Sequence, residues 1–131
     1  MKTKLFTDGG ARGNPGPAAI GGVLYQGEKE IAHFSQYIGE TTNNQAEYKA
    51  LLTGLELARK HQVTDLECFL DSELVVKQLK KEYKVKDSEL AKLFVKVWNL
   101  SQEFSDISFT HVRRELNKEA DRLVNLALDQ A

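Results

Sequence analysis

The sequence predicts an α/β fold, a five-stranded mixed sheet with helices packed on both of its faces. Residues 1–37 read as three short strands in a meander, and the remainder alternates helix with strand. Helical crossovers between strands produce parallel neighbours, so the sheet must be mixed. The length of 131 residues, 41% apolar and 28% charged, fits one compact domain over 1–131.

Leu5 to Asp8 reads as the first strand, ending at Gly9-Gly10. Residues 11–17, with Gly13, Asn14, Pro15, Gly16 and Pro17, form a loop. Residues 18–26 and 29–37 are strands joined by a tight turn at Gly27-Glu28. Thr42 caps the first helix, and Gln45 three residues on completes a capping box. Leu51, Leu55 and Ala58 form its apolar stripe. Leu66 to Leu70 is a strand running into Asp71-Ser72, which caps a helix reaching about Lys80. A longer helix covers Ser88 to Phe104, where helical spacing assigns Trp98 to the core. Ile107 to Val112 is the fifth strand. Asn117 to the end is the last helix, striped by Ala120, Leu123, Val124, Ala127 and Leu128.

Composition narrows the function classes. No apolar run approaches the roughly 20 residues that span a bilayer, and no apolar segment resembling a signal peptide precedes Asp8. One cysteine, Cys68, leaves no internal disulfide framework and suits a reducing cytoplasm. Cys68 lies in an apolar run and reads as a buried thiol. Net charge is −1, so no global field attracts nucleic acid or a membrane. Lys77, Lys80, Lys81, Lys84 and Lys86 nevertheless cluster, as either a solvated helix face or a phosphate-facing patch.

Four carboxylates stand where acids are costly or convergent. Asp8 ends the first strand and Asp71 the fourth; a crossover makes these strands parallel neighbours, so both acids emerge at one sheet edge. Glu47 shares the core-facing stripe of Leu51, Leu55 and Ala58, with no lysine or arginine on that stripe to neutralise it. Asp121 borders the stripe of the last helix. Each acid alone has an ordinary reading, as turn residue, helix cap, solvated side chain or partner of a buried lysine. Together they call for cations, and hard oxygen ligands select Mg²⁺ or Mn²⁺. Two such ions roughly 3.5–4 Å apart suit phosphodiester hydrolysis. The loop Asp8-Gly9-Gly10-Ala11-Arg12-Gly13-Asn14-Pro15-Gly16 leads into a strand rather than a helix, so it is not a dinucleotide fingerprint.

These pieces, in this order, resemble ribonuclease H of type 1, in its compact archaeal-like branch. Nearly the whole chain is covered: Thr7-Asp8-Gly9-Gly10 through Asn14-Pro15-Gly16, then Thr42-Asn43-Asn44-Gln45-Ala46-Glu47, Asp71-Ser72, and Asn117-Lys118-Glu119-Ala120-Asp121. The resemblance implies strand order 3-2-1-4-5 and a metal site at Asp8, Glu47, Asp71 and Asp121, holding two ions once substrate is bound. It implies cleavage of the RNA strand of RNA–DNA hybrids, leaving 5′-phosphate and 3′-hydroxyl ends. It also implies hybrid contacts at Gly9, Gly10, Asn14, Asn43 and Asn44, with Thr42 near a DNA phosphate. Asn14, Asn43 and Asn44 also read as ordinary turn and first-turn residues.

Two departures stand out. Many relatives carry a histidine in a loop before the last aspartate; no histidine lies between His111 and Asp121 here. Arg114, seven residues before Asp121, resembles the arginine of the compact branch and is the candidate to assist catalysis, with Arg113 as its rival. The basic protrusion of tight-binding relatives is also missing, with only Lys80 to Lys86 in its place. Weak, salt-sensitive binding follows. The expected protein is therefore a cytoplasmic, monomeric hybrid nuclease without a membrane partner. The alternatives are a weak or inactive nucleic-acid-binding member of the fold, a DNA-cutting nuclease of the integrase or transposase type, and a small-molecule phosphatase.

Overall fold

The structure, a computed structural model, describes residues 2–131. Five strands, β1 (Thr3–Ala11), β2 (Gly16–Gln26), β3 (Lys29–Thr41), β4 (Asp65–Leu70) and β5 (Asp106–His111), form one sheet in the order β3-β2-β1-β4-β5. The β1–β2 and β2–β3 pairs are antiparallel, and β1–β4 and β4–β5 are parallel, as the meander and crossovers require. The helices are α1 (Asn43–Lys60), α2 (Glu73–Leu79), α3 (Ser88–Ser101) and α4 (Lys118–Gln130), with a 3-10 turn at Arg114–Leu116 before α4. Among the described residues no helix is long and apolar enough to cross a membrane.

The first three strands are longer than the sequence suggests. β1 continues through Gly9 and Gly10 to Ala11, because β2 begins at Gly16 and pairs with it along its whole length. Only residues 12–15 are left to turn the chain. β3 runs to Thr41, directly into the Thr42 cap. Thr42 Oγ1 accepts the Gln45 N–H at 3.2 Å, but the Gln45 side chain accepts from Thr41 Oγ1 instead of returning to Thr42, so the capping box is half made. α3 stops at Ser101, three residues before Phe104, which is buried in the following turn. Trp98 is only half-buried: it stacks on Phe94 and carries Lys81 Nζ 4.4 Å over its ring.

α1 covers one sheet face. Leu5, Leu24, Leu51, Leu55, Leu66, Cys68 and Leu70 are buried there in one cluster that extends under α2 and α3. α4 covers part of the other face through a smaller cluster of Ala19, Val124, Ala127 and Leu128. Beyond α4 on that face lie Phe6, Tyr25 and Phe69, half-buried, with Phe6 stacked on Phe69 at 4.8 Å.

Candidate active site

The site forms where β1 outruns β4. Their parallel register ends at Thr7 opposite Leu70, so Asp8 and Asp71 are the next residues on each strand path and emerge side by side. Past that point β4 supplies no partner for β1. The Gly9 N–H donates instead to Glu47 Oε1 at 2.8 Å, and the Ala11 N–H to Asn43 Oδ1 at 2.8 Å. The first turns of α1 thus close the open strand edge, which places Glu47 over it.

Glycines set these approaches. A Cβ on Gly9 would run into the Ala46 carbonyl, so only glycine allows α1 to sit on β1 at this level. Gly21 lies directly opposite Asp8 on β2, and a Cβ there would come within 2.7 Å of the Ala120 carbonyl oxygen. That glycine lets α4 descend on the sheet, so that Asp121, the next residue after Ala120, reaches Asp8.

Asp8, Glu47 and Asp71 each offer a carboxylate oxygen, and these oxygens all lie within 4.8 Å of one another, a grouping able to hold a metal ion. Asp121 lines the same open cleft, whose volume is about 570 Å³. Burial, reinforced by Asp71 and Asp121, pushes the Asp8 carboxyl up to about 8. Burial, and then the charges of Asp8 and Asp71, raise Glu47 well above the usual carboxylate range. Two buried acids that resist ionisation beside two more acids form a site awaiting positive charge.

The remaining candidates distribute around this cleft. Gly9, Gly10, Asn43, Asn44 and Arg114 line it. Arg113 does not; it turns towards Glu115, 4.0 Å away. Asn14 stands behind Asn43, with its Oδ1 accepting the Asn43 N–H at 3.0 Å. Thr42 sits at the α1 cap beside them. His111 ends β5 opposite Leu70 and is not among the lining residues.

Sequence reasoning missed three participants. Arg12 lines the cleft and pairs with Asp129 at 2.6 Å, a contact between residues 117 apart that no local pattern reveals. Asn125 donates to the Asp121 carbonyl at 3.1 Å; its place four residues on was the available signal. Asn117 belongs to the motif before Asp121, but its side chain donates to the Thr7 carbonyl at 2.9 Å instead of capping α4.

A family model described as reverse transcriptase-like matches residues 6–127. The bifunctional protein Rv2228c of Mycobacterium tuberculosis is 43% identical over all of this chain, which spans only 36% of that relative's length. Ribonuclease HI of Halobacterium salinarum is 46% identical over 99% of this chain and 66% of its own. A crystal structure of RNase H1 from the same archaeon superposes with TM-score 0.97 at 44% identity, covering 100% of both chains. LC11-RNase H1, solved in complex with an RNA/DNA hybrid, superposes with TM-score 0.93 at 42% identity, over 98% of this chain and 97% of that one.

Proposed function

This chain belongs to the ribonuclease H type 1 family, and we propose that it hydrolyses the RNA strand of RNA–DNA hybrids, leaving 5′-phosphate and 3′-hydroxyl ends. The observation that carries this reading is the convergence of Asp8, Glu47 and Asp71 within 4.8 Å, in a cleft that Asp121 also lines. The hybrid found with LC11-RNase H1 supports the substrate class.

The donor set fits a hard divalent cation. It is all carboxylate oxygen, two of its acids are buried, and no lysine or arginine makes an ion pair with Asp8, Glu47, Asp71 or Asp121 among the described residues. Asp8, Glu47, Asp71 and Asp121 would hold Mg²⁺ or Mn²⁺, two ions once the hybrid is in place. When bound, such ions lower the pKa of water and neutralise charge on the leaving oxygen.

The chain's own residues do the rest. Gly9 and Gly10 keep the cleft floor free of side chains, so a phosphodiester can approach the acids. Asn43 and Asn14 use their Oδ1 atoms to lock the β1–β2 turn against α1. Their Nδ2 groups stay free to donate to minor-groove acceptors and the RNA 2′-hydroxyl, beside Asn44. Thr42 accepts in the cap and keeps its hydroxyl proton to donate to a DNA phosphate. Arg114, exposed at the cleft wall, places a fixed positive charge by the scissile phosphate. Water's oxygen bonds to phosphorus as the P–O3′ bond breaks, and the 3′ oxygen departs as hydroxyl. The protein acts as a monomer, and its buried free Cys68 suits the reducing cytoplasm.

The test is cleavage of a labelled hybrid beside matched DNA duplex, RNA duplex and single-stranded RNA, in Mg²⁺, Mn²⁺ and chelator. Metal-dependent cutting confined to the RNA strand of the hybrid, and lost in Asp71→Asn, is expected. Cutting of DNA duplex instead points to the integrase-type reading. Hybrid binding without cutting makes the chain a binding module.

A further inference from the structure

Asn117 breaks two local rules at once. It stands at the N-cap of α4, where an asparagine side chain ordinarily accepts a backbone N–H, yet it makes no such bond. Its side chain turns inward and is 1% exposed, with Oδ1 left without a partner. Buried amide oxygens are rarely abandoned in this way, and such violations concentrate at functional sites.

What the residue gains is a connection. Asn117 Nδ2 donates to the carbonyl of Thr7, at 2.9 Å and across 110 positions of sequence. Thr7 immediately precedes Asp8. The Asn117 carbonyl accepts the Asp121 N–H at 3.1 Å, in the first turn of α4. One residue is therefore bonded to the strand that carries Asp8 and to the turn that carries Asp121. The apolar cluster under α4 is smaller than the one under α1.

We propose that Asn117 is a positioning residue that fixes the separation of Asp8 and Asp121, and through it the affinity of the cleft for divalent cations. This rests on the metal-dependent reading above and adds a residue to it. Shared outer partners of this kind tune metal sites without touching the ion.

The experiment compares Asn117→Ala, Asn117→Ser and Val97→Ala with the parent protein. Serine can cap α4 but cannot reach Thr7, so it separates loss of the tether from loss of the helix. Val97, a buried residue of α3 outside the cleft lining, supplies a destabilised control. Mn²⁺ binding to the metal-free protein is read by calorimetry, beside the metal concentration giving half-maximal hybrid cleavage. Both Asn117 variants are expected to weaken Mn²⁺ binding about tenfold to a hundredfold. They should raise the metal requirement in step and leave KM for hybrid nearly unchanged, whereas Val97→Ala lowers only Tm. Parent-like Mn²⁺ affinity in a folded Asn117→Ser protein overturns the proposal. So does an equal loss in Val97→Ala, or a parent protein that binds no Mn²⁺. A parent that binds Mn²⁺ but cuts no hybrid defeats the hydrolase reading alone, and the titration still decides the tether.

Discussion

The two faces of the sheet bring carboxylates to one cleft by different means. On the α1 face, Glu47 rides on a helix seated over a continuous core in which Leu5, Leu24, Leu51 and Leu55 are wholly buried, and it accepts the Gly9 N–H. On the α4 face, Asp121 rides on a helix with a small cluster beneath it, half-buried aromatics beside it, and Leu116 61% exposed in the turn before it. There the acid is placed by a glycine that allows close approach and by the polar tether of Asn117. A site can thus take one ligand from a rigid core and another from a helix that is pinned at a point.

The largest effect should come from the acids themselves. Glu47→Gln and Asp121→Asn should each reduce hybrid cleavage to background. They should separate in metal-free stability. Glu47→Gln removes the cost of burying an acid that ionises freely only when the chain unfolds, and should raise Tm measurably in chelator; Asp121→Asn, on a half-exposed residue, should raise it less. Equal Tm gains would erase the distinction between the faces at the ligand level.

Core truncation tests the same distinction in packing. Leu55→Ala, at a wholly buried position between α1 and the sheet, should cost about 2–5 kcal/mol by denaturant unfolding. Leu123→Ala on α4 should fall at the lower end of that range of about 2–5 kcal/mol, because a thin helix layer can settle into the space. A larger loss at Leu123 would show that α4 is held by packing after all.

The pH dependence follows from Asp8. Its folded carboxyl titrates at about 8, above its ordinary value of 3.8, so the native state binds more protons than the unfolded one between those limits. Its stabilising contribution is complete below about pH 4 and is lost as pH rises through about 8. Thermal unfolding in chelator should therefore show Tm falling over that window. Asp8→Asn should flatten the fall, and Mg²⁺ should reverse it at pH 8 by binding the ionised cluster. A flat profile in chelator would mean the acids do not converge when metal is absent.

Much of this was legible in the sequence because it rests on local patterns. The parallel pairing of β1 with β4 and the sheet-edge position of Asp8 and Asp71 follow from alternation and crossovers, whereas the full strand order came from the family resemblance. Glu47 announced itself as an acid on an apolar stripe. What stayed hidden depends on contacts distant in sequence. The extension of β1 to Ala11 is imposed by pairing with β2, against two glycines that locally read as a strand end. Asn117 read only as the opening residue of the last helix, and only the folded sheet brings Thr7 within its reach. Trp98 fitted helical spacing, yet α3 leaves it half-exposed under Lys81.

The smallest expected effect concerns a second polar contact on the α4 face. Arg12 Nη2 meets Asp129 at 2.6 Å, with the two side chains 51% and 64% exposed. Exposed pairs contribute roughly 0–1 kcal/mol, so Asp129→Asn should leave Tm almost unchanged. Its consequence lies in binding. Arg12 lines the cleft among four acids, and its guanidinium is paired with Asp129. Released, it should lower KM for hybrid by about twofold to threefold at low salt, with kcat unchanged and the gain screened away near 0.5 M salt. A rise in KM would carry the opposite lesson. The pair would then be holding the β1–β2 turn in place for Asn14, and the α4 face would add a second polar tether to those that Glu47 and Asn43 already supply on the α1 face.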